Sequence, residues 1–162
     1  MAGGGFDEFF AEQYDPVARA LTLATGDREL AADAAQEAFS RALRHWKKVR
    51  EMDRPSSWVY VVAMNHLRDQ WRRGARHAVA DVEPVDETGG VAVKLTVREA
   101  IATLPARQRE AIVLRYLADL PLADVADAMG CALGTAKATL HQALQTLRVE
   151  LDDTEEDDDA HG

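Results

Sequence analysis

Apolar residues recur at three- and four-residue steps along nearly the whole chain, and no alternating pattern typical of strands appears. The pattern therefore predicts an all-α protein. In the first half we expect helices over about residues 6–24, 27–46 and 55–71. The expected inner face of the first consists of Phe6, Phe9, Phe10, Tyr14, Val17, Ala18 and Leu21, and that of the second of Leu30, Ala34, Ala38, Ala42 and Leu43.

The amino-acid composition changes at the start of the second half of the chain. Residues 79–93 are acidic, hold Pro84 and the pair Gly89–Gly90, and lack bulky aromatic residues, which predicts a flexible linker. Helical patterns resume at about Lys94. The sequence thus predicts two small helical domains, at 1–78 and 94–151. The like-charge run at 152–162 predicts a disordered acidic tail.

The end of the second domain has the pattern of a helix-turn-helix. The first helix has an inner face of Leu122, Val125, Ala126 and Met129, and the second one of Leu133, Ala136, Leu140, Leu144 and Leu147. Gly130 between them permits the left-handed backbone of a tight turn. From the pattern alone, an αα-hairpin used only for packing stays open.

Composition and charge narrow the class of protein. With 47% apolar and 29% charged residues in 162, and no bilayer-length apolar run or secretory leader, we expect a soluble cytoplasmic protein without membrane insertion. The net charge of −9 argues against binding to nucleic acid. Seven of the carboxylates, however, lie after Leu151, in the predicted tail. A basic stripe at Arg68, Arg72, Arg73 and Arg76 suits phosphate binding.

Catalytic chemistry finds no support in the sequence. The five histidines are scattered, Cys131 has no CxxC partner, and no phosphate-binding loop occurs. We therefore expect that the protein is not an enzyme and that it binds no cofactor and no metal ion.

Two other sets of residues suit binding. Asp33, Gln36 and Glu37 share one side of a helix, which is either a solvated face or a face for a partner's arginines. Near the basic stripe, Trp58, Tyr60 and Asn65 could stack on and read single-stranded bases, or the tryptophan could belong to the core.

Four motifs in order resemble the extracytoplasmic-function (ECF, group IV) sigma factors of bacterial RNA polymerase. They are D-x-x-Q-E-x-F at 33–39, W-x-Y-x-x-A-x-N-x-x-x-D-x-x-R-R at 58–73, L-P-x-R-Q-R-E at 104–110 and G-C-x-x-G-T-x-K at 130–137. The resemblance covers about Phe6 to Arg148.

The resemblance implies a function and a set of roles. It implies a factor that binds core RNA polymerase, recognises promoter DNA and helps to melt the −10 region, with an anti-sigma factor as a further partner. The implied contact with the β′ clamp uses Asp33, Gln36, Glu37 and Leu43. The implied −10 contacts are Trp58, Tyr60, Asn65, Arg68, Arg72 and Arg73, with the connector 50–57. The second domain is expected to dock on the β flap, and its implied −35 contacts are Thr135, Lys137, Thr139, His141 and Gln142.

The sequence departs from the family in the second helix of the helix-turn-helix, which the resemblance places in the DNA groove. Family members usually carry Ser-Arg directly after the lysine and another arginine three residues on, where this chain has Ala138, Thr139 and Gln142. Loss of arginine contacts predicts a −35 interaction that is weak, altered or partner-dependent. The alternative function is a sigma mimic that binds an anti-sigma factor without reading DNA, although Asn65 and the pair Arg72–Arg73 favour a true sigma factor.

Overall fold

A computed structural model describes residues 5–73 and 92–159, with side chains described over 5–73 and 97–149. These residues are helical and contain no strand, which confirms the all-α fold class. The first domain consists of α1 (Phe6–Thr25), α2 (Arg28–Arg44), α3 (Trp46–Val49) and α4 (Pro55–Arg72). The second consists of α5 (Ala92–Thr103), α6 (Ala106–Ile112), a π-helix (Val113–Leu117), α7 (Leu122–Met129) and α8 (Leu133–Asp159). The predicted linker lies outside the described residues, except for its last two, which open α5.

Local capping residues set the bounds of the first helices. Gly26 ends α1 with a left-handed φ of 72°, and its N–H donates to the Thr22 carbonyl at 2.8 Å. Asp27 then caps α2, because its carboxylate accepts from the backbone N–H groups of Glu29 and Leu30. Pro55 opens α4, where its missing N–H costs no hydrogen bond.

Helix α2 lies between α1 and α4 and buries a face made mostly of alanine. Its buried residues are Ala31, Ala34, Ala35, Ala38, Phe39 and Ala42. Small side chains let both neighbours approach closely. Leu43 was expected in this core, but its exposed fraction is 56%, because α2 turns it away from both neighbouring helices.

An aromatic cluster covers the end of α2. It consists of Phe6, Phe9, Phe10, Tyr14, Phe39 and Trp46, with ring centroids between 4.9 and 5.9 Å apart. The predicted second helix reaches Trp46, but α2 ends at Arg44 and Trp46 starts α3, where it packs on Phe6 and Phe9. The three tryptophans of the sequence all lie in this domain, and Trp58 and Trp71 also pack against its core.

The second domain contains the predicted helix-turn-helix. Helix α7 begins and ends with the outermost residues of the predicted inner face, Leu122 and Met129, and is followed by Gly130, whose φ is 65°. Helix α8 packs on α6 and α7 through Ala136, Leu140 and Ala143, with Leu147 half-buried. Leu133 and Leu144 were expected in this stripe but are 45% and 39% exposed. The buried face of α8 is narrow, so leucines at its edges stay in contact with solvent.

Helix α8 also extends further than the sequence predicts. It continues to Asp159, so the structure differs from the predicted disorder over 152–159, and residues 160–162 lie outside the described part. Adding residues to an existing helix requires no new nucleation, which favours this continuation despite the like charges.

The two domains pack against each other. Helix α4 contacts α7, and α1 contacts α6 and the π-helix. The buried guanidinium of Arg109 donates from Nε to the Ala24 carbonyl at 3.0 Å, and Arg54 donates to the Asp119 carbonyl at 3.1 Å. Both arginines therefore satisfy backbone carbonyls of the opposite domain.

Candidate functional site

One candidate surface lies on the outer side of α2. Asp33 and Gln36 are exposed and Glu37 is partly exposed, on the side opposite the alanine face. The Glu37 carboxylate lies 2.9 Å from Arg41 Nε and 3.8 Å from Arg44 Nη2. Together with exposed Leu43, this surface combines carboxylates, an amide and an apolar side chain, which suits a partner that presents arginines beside apolar residues.

The Asp33 carboxylate is bonded to α4. Its Oδ2 accepts from Gln70 Nε2 at 2.9 Å and lies 3.0 Å from His66 Nε2. The hydrogen bond from His66, followed by that from Gln70, holds the pKa of Asp33 below its ordinary value. Asp33 therefore stays ionised at neutral pH.

The sequence leaves open whether the aromatic residues Trp58 and Tyr60 of α4 stack on bases or belong to the core, and in the structure both are largely covered. Tyr60 is only 4% exposed, and burial raises its pKa to about 12. It lies in the core with Val59 and Met64, where bases cannot reach its ring in this conformation, and its contact with −10 bases stays a prediction. Trp58 is half-buried and packs against the same core, which leaves only part of its ring exposed.

Two polar residues of α4, Asn65 and Arg68, lie towards the second domain. The Arg68 guanidinium donates to the Asn65 Oδ1 and to the Ala128 carbonyl at the end of α7. Asn65, which is exposed, lines an open cavity of about 530 Å³ together with Gly130 and Cys131 of the turn. Two of the residues expected to bind the −10 element thus already contact the helix-turn-helix.

Arginines from both domains cap the end of α7. Arg68 bonds the Ala128 carbonyl, and Arg107 Nη2 donates to the Met129 carbonyl at 3.0 Å. Cations are favourable at this end because the last carbonyls of a helix have no partner within the helix and carry partial negative charge.

The counter-charge beside these arginines is buried Glu110. Its Oε2 lies 3.0 Å from Arg107 Nη1. Burial raises the pKa of Glu110 and lowers the pKa of Arg68 and of Arg109. In the sequence, Glu110 belongs to one of the family motifs and has no predicted structural role. A carboxylate flanked by arginines and followed by the apolar run 111–114 was the available indication of burial.

The candidate groove face lies along α8. Thr135, Lys137, His141 and Gln142 are exposed, while Thr139 is half-buried and its hydroxyl donates to the Thr135 carbonyl at 2.8 Å. Lys137 is the permanent cation among the five. The structure therefore leaves the predicted face accessible, with little positive charge.

Comparison with known families covers both domains. Residues 10–77 match the family model for Sigma-70 region 2, and residues 94–147 match that for Sigma-70, region 4. The chain is 33% identical over 142 residues to the ECF RNA polymerase sigma factor SigM of Mycobacterium tuberculosis, an alignment that spans 85% of this chain and 72% of SigM. The chain belongs to the ECF sigma factors.

Further comparisons agree with this membership. The sigma factor is 27% identical over 151 residues to the RNA polymerase sigma-E factor of Streptomyces coelicolor, with 90% of this chain and 85% of the relative covered. A similar fold occurs in the sigma factor RpoE of Bartonella quintana, solved in complex with the anti-sigma factor NepR. That match has a TM-score of 0.65 at 22% identity and covers 91% of this chain and 96% of RpoE.

Membership defines what the protein does. As a sigma factor it binds core RNA polymerase and promoter DNA and acts in transcription initiation. In the described part of the chain, no helix is long and apolar enough to cross a membrane, and no cluster of three or more His, Cys, Asp or Glu could hold a metal ion.

Proposed function

We propose that this sigma factor contacts the β′ clamp of core polymerase through the outer side of α2. The observation that carries this proposal is the exposure of Asp33, Gln36 and Leu43 on one side of a helix whose other side is fixed in the core. A rigid helix holds the three groups in constant relative positions, which lowers the entropy lost on binding. Arginines of the partner would bind the carboxylates, and Leu43 would be covered on contact.

The proposed −10 surface is the exposed end of α4. Asn65 supplies an amide that can read a base edge, and exposed Arg72 and Arg73 supply charge for the phosphates of the strand. Arg68 joins them only after α7 moves away, because its guanidinium is bonded to the α7 carbonyl. We therefore infer that capture of −10 bases is accompanied by separation of the two domains.

The proposed −35 contact is made by α8, with the second domain docked on the β flap. Because its groove face carries few cations, we infer that the −10 contact contributes most of the promoter specificity. The protein itself contributes no catalytic group in this proposal, and it works in the cytoplasm. An anti-sigma partner stays a prediction from the family.

In vitro transcription with core polymerase tests the role of Asn65. We expect Asn65→Ala to lose open-complex formation on a duplex promoter while affinity for core polymerase stays unchanged, since Asn65 lies away from the α2 surface. Premelted promoter DNA should bind more weakly as well, because the lost contact is with single-stranded bases. Glu12→Ala, an exposed change on α1, serves as the control.

Unchanged promoter opening by Asn65→Ala would contradict the −10 assignment. If instead the native protein initiates from no template although it binds core polymerase, it acts as a sigma mimic. The observation that supports this second function is that Arg68 and Asn65 are bonded at the domain interface, where they do not present their polar atoms freely to DNA.

A further inference from the structure

The Asp33 carboxylate of α2 is bonded by two side chains of α4. His66 and Gln70 lie four residues apart, and the spacing of a helix places both on one side, where they reach the same carboxylate oxygen. The contact therefore joins the proposed polymerase surface on α2 to a helix that carries the proposed −10 surface.

The proton positions at this contact follow from its geometry. An ionised carboxylate only accepts hydrogen bonds, so the 3.0 Å approach of His66 Nε2 to Oδ2 is attractive when Nε2 carries a hydrogen. Gln70 Nε2 lies 3.0 Å from the same ring nitrogen. Two N–H groups do not bond each other, so Gln70 and His66 both donate to Oδ2, which has lone pairs for two bonds.

The two ends of this contact differ in exposure. The His66 side chain is 20% exposed, whereas that of Asp33 is 58% exposed. The donors are thus anchored between the helices, and the carboxylate points outward. Within the described part of the chain no hydrogen bond to Oδ1 occurs, which leaves that oxygen for a donor on another molecule.

The neighbouring carboxylate is held differently. Glu37 bonds Arg41 and Arg44 of its own helix, and both of these cations are well exposed. An approaching arginine has to compete with them for Glu37, whereas Asp33 is bonded by neutral Gln70 and by the imidazole of His66. Asp33 therefore keeps its acceptor available to a cationic partner.

We propose that His66 and Gln70 are positioning residues for core polymerase binding, because they fix Asp33 in one rotamer with Oδ1 facing outward. The inference rests on the proposed contact of Asp33 with polymerase. An aspartate without these donors would have to lose rotamer freedom on binding, and this loss lowers affinity.

The affinity of the full chain for core polymerase tests the proposal. We expect His66→Leu and Gln70→Leu each to weaken binding roughly three- to tenfold. His66→Gln, which keeps an N–H donor, should bind within about twofold of the native protein. Gln13→Leu makes the same chemical change as Gln70→Leu at another half-buried position of the first domain and should have no effect. Circular dichroism checks that every variant is folded.

The Asp33→Ala background separates positioning from a general effect on packing. His66→Leu should cause no further loss there, because the group that it positions is absent. A loss that persists in this background overturns the proposal, as does equal weakening by His66→Leu and His66→Gln.

Two results distinguish this inference from the proposed function. Native affinity of Asp33→Ala for core polymerase overturns the role of Asp33, and the positioning role falls with it. Weakened binding by Asp33→Ala together with native binding by His66→Leu and Gln70→Leu overturns the positioning role alone.

Discussion

Gly130 has two reasons to be glycine. It ends α7 with a φ of 65°, a conformation that side chains with a Cβ rarely adopt. A Cβ at this position would also lie 2.8 Å from Cζ of Arg68, which crosses from the other domain. The backbone of the turn therefore favours glycine, and a Cβ here would also require the flexible Arg68 side chain to shift.

We predict that Gly130→Ala lowers the free energy of unfolding by about 1–2 kcal/mol, the cost of a left-handed alanine. The Arg68 guanidinium, which donates to the Ala128 carbonyl, has to shift as well. Urea unfolding measures the change. Gly134→Ala is the matched control, because no atom lies within 4 Å of its added Cβ and alanine favours the helix. Equal stability of the two variants would contradict the prediction.

For several site residues, the face of the helix on which they lie could be predicted from the sequence, because it depends on helix spacing alone. Asp33 and Gln36 are exposed together as predicted. Tyr60 could not be assigned in this way, since a tyrosine beside an apolar stripe suits both a core and a base-stacking surface. Its burial results from packing by residues far away in the sequence.

The bounds of the helices could likewise be predicted only where local residues determine them. Pro55 and Gly130 are local signals, and the start of α4 and the end of α7 agree with them. The break between α2 and α3 has no such local signal. It accompanies the packing of Trp46 on the aromatic rings of α1, which are distant in the sequence. The π-helix at Val113–Leu117 was likewise not predicted, and the segment itself contains no proline or glycine.

Arginines added to the groove face of α8 should change the affinity of holoenzyme for promoter DNA. Thr139→Arg with Gln142→Arg should strengthen binding of holoenzyme to promoters that carry a −35 element, because arginines on this accessible face restore base or phosphate contacts worth roughly 1–3 kcal/mol each.

Binding to matched templates with and without the −35 element provides the measurement. The gain should appear on the first template and be small on the second. Equal gains on both would indicate non-specific phosphate attraction, and no gain on either would mean that α8 does not reach the DNA.

The interface between the domains contains charges that have lost solvent. Burial is the largest cause of the shifted pKa of Arg68, Arg109 and Glu110, and in each group it disfavours the charged form. These groups regain water when the domains separate, which offsets part of the packing that is lost. The sequence could not predict this docking, because Arg68 and the Ala128 carbonyl lie 60 positions apart.

Glu110 makes the stability of the molecule depend on pH. Its folded pKa is raised, so between the ordinary glutamate value and the raised one the unfolded chain is ionised while the folded chain is protonated. Stability contributed by Glu110 is therefore lost as pH rises through this window, and the slope vanishes on either side of it. Glu110→Gln should remove this loss.

Urea unfolding of the native protein and of Glu110→Gln in steps upward from about pH 4 measures the effect. The free energy of unfolding of the variant minus that of the native protein should increase with pH. Exposed Glu12→Gln should show no such trend. A difference that decreases with pH would show that attraction by Arg107 and its neighbours outweighs burial.

The placement of the three tryptophans gives the first domain an optical signal that the second domain lacks. Trp46, Trp58 and Trp71 all lie in the first domain, so intrinsic tryptophan fluorescence follows the surroundings of that domain's core. Far-ultraviolet circular dichroism follows the helices of both domains. One unlabelled sample therefore shows whether the domains unfold together or in sequence, and the separation of the two midpoints measures how strongly docking couples them.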